Sequence, residues 1–195
     1  MPAQPAPPPQ PAAAGAPRPA ARGEQVILFR IGPQIFAVSA NEVQEIRSTD
    51  NMAAAAAEVP TPELRMVRYV ITRGHRKLYV VHGAALFGLP SAPASLVLVL
   101  RNSRAALLVE AVESMTRISR LMALPQAFCG RERAWYRGLT VLGDAVVPVL
   151  NPGGLLSADE LARLDAASAA NEPAAQNAAS APPRPSASEE RQAVP

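Results

Sequence analysis

The chain has 195 residues, 49% of them hydrophobic, with 21 prolines and a formal net charge of +3. That length allows one ordinary domain with extensions, and its single cysteine, Cys129, excludes an intrachain disulfide and gives no metal-ligand spacing with His75 or His82. The basic excess is mild: residues 24–157 hold 14 Lys and Arg against 10 Asp and Glu, spread along the chain rather than gathered into the stripe that nucleic-acid binders use.

Residues 1–23 carry 8 of the prolines, with Ala and Gln and almost no branched aliphatic or aromatic side chain, so they are expected to form a disordered tail. Their PxxP spacings satisfy the bare pattern of a polyproline II ligand, but few charged anchors flank them, and a stiff solvated extension is the simpler reading. The N-terminus shows no basic n-region followed by an apolar h-region, and no apolar run reaches the roughly 20 residues of a membrane helix. The sequence therefore predicts a soluble, cytoplasmic protein with no direct membrane insertion.

From residue 24 the composition turns to Val, Ile, Leu, Phe and Tyr in short runs. VILFRI at 26–31 and IFAV at 35–38 flank Gly32-Pro33 as a hairpin. Ser39-Ala40-Asn41-Glu42 has the form of a capping box, which predicts a short helix with Val43 and Ile46 on its apolar edge. The segment 50–61, with alanines at 53–57, reads as a short helix or a loose loop. Two further hairpins follow: YVIT at 69–72 with LYVV at 78–81 about Arg73-Gly74-His75-Arg76, and SLVLVL at 95–100 with AALLV at 105–109. LTVL at 139–142 and AVV at 145–147 enclose Gly143-Asp144, a pair suited to a two-residue turn. A second capping box, Ser157-Ala158-Asp159-Glu160, opens a closing helix over 158–171 that docks through Leu161 and Leu164. Residues 172–195 return to the Ala/Pro/Ser composition of a tail. Phe29, Phe36, Val97, Val99, Val109, Val146 and Val149 are the expected core. Many short strands with frequent turns define an all-β unit, a small barrel or a sandwich.

Three of these segments carry a family resemblance. VILFRIGPQIFAVSANEVQEI, LLVEAVESMTRI and YRGLTVLGDAVVPVLNPGGLL, in this order, resemble the CheW-like domain of bacterial chemosensory systems, including its "V-Q-E-I" segment and closing hairpin. The resemblance spans about residues 25–156. It implies two intertwined SH3-like five-stranded β-barrels, and a cytoplasmic scaffold at receptor arrays that couples chemoreceptor tips to a CheA-type histidine kinase through the kinase's regulatory domain. It implies no cofactor. The sequence departs from the family in the middle: Arg73 and Gly74 of the "R-G" turn are present, but Tyr79 stands where the family has proline and His82 stands near its usual aspartate.

Carried onto this chain, the resemblance places Val43, Glu45 and Arg47 on the edge of the expected helix as a partner surface, with Arg73 and Gly74 in the "R-G" turn. Val43 would supply apolar burial; Glu45 and Arg73 would supply charge complementarity. The same residues also fit plainer roles, Val43 in the core, Glu45 and Arg47 as solvated charges, and Arg73 at a hairpin tip. Catalysis finds no parts: there is no nucleophile elbow, phosphate loop, His-Glu-x-x-His or Cys-x-x-Cys. Cys129 beside Gly130 and the arginines reads as an inert thiol. The alternative reading is a small β-barrel that binds nucleic acid or another non-signalling ligand. It rests on Arg131-Glu132-Arg133 with Trp135 and Tyr136, the one place where basic and aromatic residues mix.

Overall fold

The computed structural model describes residues 23–51, 56–59, 63–90 and 92–179, and its strands follow the hydrophobic runs closely. They are β1 (Glu24–Ile31), β2 (Gln34–Ser39), β3 (Val43–Ser48), β4 (Ala56–Glu58), β5 (Val67–Arg73), β6 (Arg76–His82), β7 (Leu96–Leu100), β8 (Ala105–Val109), β9 (Ala111–Ile118), β10 (Tyr136–Leu142) and β11 (Ala145–Leu150). Two helices join them, α1 (Gly83–Phe87) and α2 (Ala158–Ala179). All four expected hairpins form, as the antiparallel pairs β1–β2, β5–β6, β7–β8 and β10–β11.

The strands make two sheets. One has the order β10-β11-β2-β1-β9 and the other β3-β7-β8-β6-β5-β4. The second sheet is thus a continuous piece of chain set between the two halves of the first. It has six strands rather than five, because part of the alanine segment, left open between helix and loop, pairs as the three-residue edge strand β4 with β5.

Each sheet has strands buried on both faces. In LVLVL of β7, Leu98 and Leu100 enter a central cluster with Phe29, Phe36, Tyr79 and Leu107, while Val97 and Val99 enter a separate cluster with Ile71, Leu78, Val80 and Ala106. The first sheet divides likewise: Ile27 and Phe29 face the central core, and Val26 joins Ala37, Ile118, Val147 and Val149 inside. A continuous apolar run is what a strand covered on both faces requires. Each such side chain adds roughly 1.5–3 kcal/mol on burial. The result is one small core inside each sheet and a larger one between them.

Side chains show that the sheets curl. Glu45 on β3 meets Arg73 on β5 at 2.8 Å, although β7, β8 and β6 lie between these strands in hydrogen-bonding order. Arg137 on β10 holds Glu24 on β1 in a bidentate pair at 2.7 and 2.9 Å across β11 and β2. Strands so separated touch when a sheet closes towards a barrel.

Three expectations need correction. The first capping box does not cap: residues Ala40–Glu42 make a single 3-10 turn without a side-chain hydrogen bond, and Val43 onward is the strand β3, paired with β7. β-branched Val43 and Ile46 lose little in an extended strand, and the apolar edge of β7 offers a ladder that an isolated helix turn cannot match. Val146 is 55% exposed, because it lies three residues from the buried Val149 and strand side chains alternate with period two; Val147 takes the core position instead. The closing helix continues to Ala179, eight residues past its expected end, across Pro173 into a stretch with four alanines. Of the expected tails, 1–23 and 172–195, residues 1–22 and 180–195 lie outside the described residues, and 172–179 belong to this helix.

Helix α2 opens as expected. The Ser157 N–H donates to the Glu160 carboxylate at 2.8 Å and the Glu160 N–H donates to the Ser157 hydroxyl at 3.3 Å, a reciprocal capping box. Leu164 is fully buried. The next residue, Asp165, receives Arg104 at 2.5 and 2.7 Å and the Tyr79 hydroxyl at 2.6 Å, with the Arg104 guanidinium 5.2 Å from the centre of the Tyr79 ring. The helix is tied by these contacts to β6 and the start of β8.

Candidate functional site

The rim of the second sheet, where β3 meets the β5–β6 turn, gathers most of the expected partner residues. Gln44 is an extra residue in β3: Val43 pairs with Leu100 but Glu45 pairs with Val99, a bulge. The bulge reverses the facing of the strand. Val43 shares the face of Leu100 and is 8% exposed in the central core, so it is not free to bury against a partner. Glu45 and Arg47 share the opposite face with Val99 and Val97, at the mouth of the sheet's inner core.

Glu45 is the hub of that mouth. Its Oε1 lies 2.8 Å from Arg47 Nε and 2.8 Å from Arg73 Nη1, and Arg73 Nη2 donates to its Oε2 at 3.1 Å. The Glu45 and Arg73 side chains are 29% and 33% exposed, wet enough for a partner to reach and shielded enough to hold an ion pair. Gly74 follows at the tip with φ +58°, a conformation that costs any other residue strain. No atom lies within 4 Å of where its Cβ would be, so the requirement comes from the turn alone. Exposed Gln44 and Ile46 continue the same edge.

The 131–136 segment is organised differently from a stacking platform. Trp135 packs edge-on against Phe87 at 5.7 Å, Tyr136 stacks on Phe87 at 5.9 Å, and Phe87 stacks on Phe36 at 4.7 Å. Both rings thus turn towards the central core. Arg131 pairs with buried Glu160, and Arg133 donates to the Phe128 carbonyl at 3.0 Å. Burial alone would raise the Glu160 pKa, but the Ser157 and Arg131 contacts outweigh it and hold it below the ordinary carboxylate value. The aromatics and the two arginines are engaged within the fold.

His82 ends β6, and its Nδ1 accepts from the Ala85 N–H at 3.4 Å, capping α1. Burial and then nearby Arg68 lower its pKa. Among the described residues, no group of three His, Cys, Asp or Glu side chains is placed to hold a metal ion, and no helix is long and apolar enough to cross a membrane.

The family model of the CheW-like domain matches residues 25–160. The chain belongs to the CheW-like domain family. That places it among chemotaxis scaffold and adaptor domains. A search of the curated proteins gives no match. Among solved structures, the chain is similar to the scaffolding protein TtCheW from Thermoanaerobacter tengcongensis, with a TM-score of 0.58 and 14% identity over 71% of this chain and 95% of that one. At that identity the likeness is one of fold, and it agrees with the expected CheW-type pair of β units.

Sequence reasoning missed the polar network under α2. Its one advance signal was Tyr79 in the place of the family's proline: a buried tyrosine needs a partner for its hydroxyl, and Asp165 is that partner.

Proposed function

We propose that this CheW-like chain is a non-catalytic chemosensory adaptor in the cytoplasm, at receptor arrays on the inner face of the membrane. It couples the cytoplasmic tip of methyl-accepting chemoreceptors to a CheA-type histidine kinase through the kinase's regulatory domain. The rim of Glu45, Arg47, Arg73 and Gly74 takes the kinase, and Val43 holds the rim in place from the core side. The observation that carries this reading is the partly exposed Glu45–Arg73 pair, which joins the "V-Q-E-I" strand to the "R-G" turn. Charged groups at a rim set partner choice and register more than they add raw affinity.

The test is a calorimetric titration of the full chain with the regulatory domain of CheA-type kinases from the same cell. Arg73→Glu and Glu45→Arg are compared with the exchange variant that carries both. Each single reversal weakens saturable one-to-one binding and lowers the melting temperature. The exchange rebuilds the ion pair with opposite polarity, so it restores melting but leaves binding weak. Absence of binding to every such kinase, or an exchange variant that binds as well as the parent, refutes the proposal.

A further inference from the structure

The first sheet is not fully zipped. Its edges are β9 and β10, and the chain just after β9 meets β10 in a single bridge, with the Met122 N–H on the Leu139 carbonyl at 2.7 Å and the Leu139 N–H on the Met122 carbonyl at 3.0 Å. One further link follows, from the Thr140 hydroxyl to the Arg120 carbonyl at 2.9 Å. Past it the walls part around a groove of 290 Å³ between residues 117–122 and 140–142.

Two features of this groove are built to receive something. Antiparallel strands turn the N–H and C=O of alternate residues to opposite sides. Leu139 faces Pro148, which has no N–H, and sends its own groups away from β11; Val141, two residues on, does the same. No backbone group among the described residues bonds to Val141 on that side. Its side chain is 51% exposed beside Val146. The second feature is charge. Arg117 and Arg120 line the opposite wall, both exposed, and neither forms an ion pair with any described carboxylate, including Asp144 at the hairpin tip. No acidic residue lines the groove.

We infer that this groove is a second docking surface, separate from the Glu45–Arg73 rim, for an extended acidic segment of a partner protein. The segment adds as a short strand to the open edge at Val141, exchanging two backbone hydrogen bonds with it. Alternate side chains of such a strand point to opposite faces. Apolar residues then cover Val141 and Val146 while carboxylates reach Arg117 and Arg120. Backbone bonds supply affinity and the arginines supply selectivity for acidic sequences.

Fluorescence anisotropy of the full chain with a dye-labelled hexapeptide of alternating Glu and Val tests the idea. Comparison peptides replace Glu by Lys, or N-methylate the central Val so that its amide cannot donate. Saturable binding is expected for the Glu peptide, weakened about tenfold or more by R117E/R120E, which removes two solvent-exposed ion pairs and adds repulsion, and weakened also by N-methylation. R117Q/R120Q gives a smaller loss in the same direction, and circular dichroism checks that both variants stay folded. Equal binding of the Lys peptide, no saturable binding, or indifference to R117E/R120E overturns the proposal. So does concentration-dependent dimerisation that R117E/R120E abolishes while the peptide fails to bind, which assigns the groove to a second copy of the chain.

Discussion

Replacing Asp165 with Asn tests whether α2 is held to the barrel by charge or by apolar contact alone. The Arg104 fork, more than any other contact, holds the Asp165 carboxyl at about 2 against an ordinary 3.8. If fully expressed, that shift is worth about 2.5 kcal/mol at about 1.4 kcal/mol per unit. The side chain is 43% exposed, however, and screening by solvent reduces the expected contribution to about 1 kcal/mol. A carboxyl whose folded pKa is depressed stabilises the fold above its unfolded pKa. The contribution is lost as pH falls through the folded value, here between about 4 and about 2. Asn keeps the size of the side chain and one oxygen for Tyr79, so the variant removes charge without opening a cavity. Urea unfolding of the parent and D165N should differ by about 1 kcal/mol near pH 7, or about 2–4 °C in melting temperature, and the gap should close as the pH drops through that window. Equal stability at neutral pH, or a gap that persists unchanged below about pH 3, refutes an electrostatic clasp.

Other positions separate core from surface and backbone from side chain. Val146→Ser should change stability by less than about 0.5 kcal/mol, whereas Leu98→Ala should cost about 2–5 kcal/mol, both read from denaturant midpoints. Gly74→Ala meets no neighbour and should cost about 1–2 kcal/mol from left-handed backbone strain alone. Gly154→Ala drives a methyl into the Ala134 carbonyl and should lower expression of folded protein far more, as judged by soluble yield and circular dichroism. His82 should titrate by NMR below the ordinary histidine value. Because its folded pKa is lowered, its contribution to stability is complete above the unfolded pKa of about 6.5 and is lost on acidification through the folded one, as protonation of Nδ1 removes the α1 cap.

Two similar tetrads show what could be read in advance. Ser157-Ala158-Asp159-Glu160 and Ser39-Ala40-Asn41-Glu42 carry the same capping signal, yet only the first makes a capped helix. Behind the first lie Leu161, Ala162, Arg163 and Leu164, good helix formers with an apolar stripe. Behind the second lies VQEIRS, whose β-branched residues suit a strand once β7, about fifty residues away, offers its edge. Hairpins and their turn glycines were legible because they are local; of LVLVL only Val97 and Val99 were expected in the core, and the second face, Leu98 and Leu100, is filled by strands distant in the chain. The rim was legible in its membership and not in its state. The family motif marks Glu45 and Arg73 separately, and nothing local says that closure of the sheet brings them within 2.8 Å. That pairing changes the functional argument: a partner at this rim meets two charges that already satisfy one another, and it must compete with an existing ion pair rather than neutralise free ones. Discrimination by geometry, which side of the Glu45 carboxylate is left open by Arg47 and Arg73, then matters more than net charge. The exchange variant changes that geometry while conserving charge count, and so it separates the two contributions.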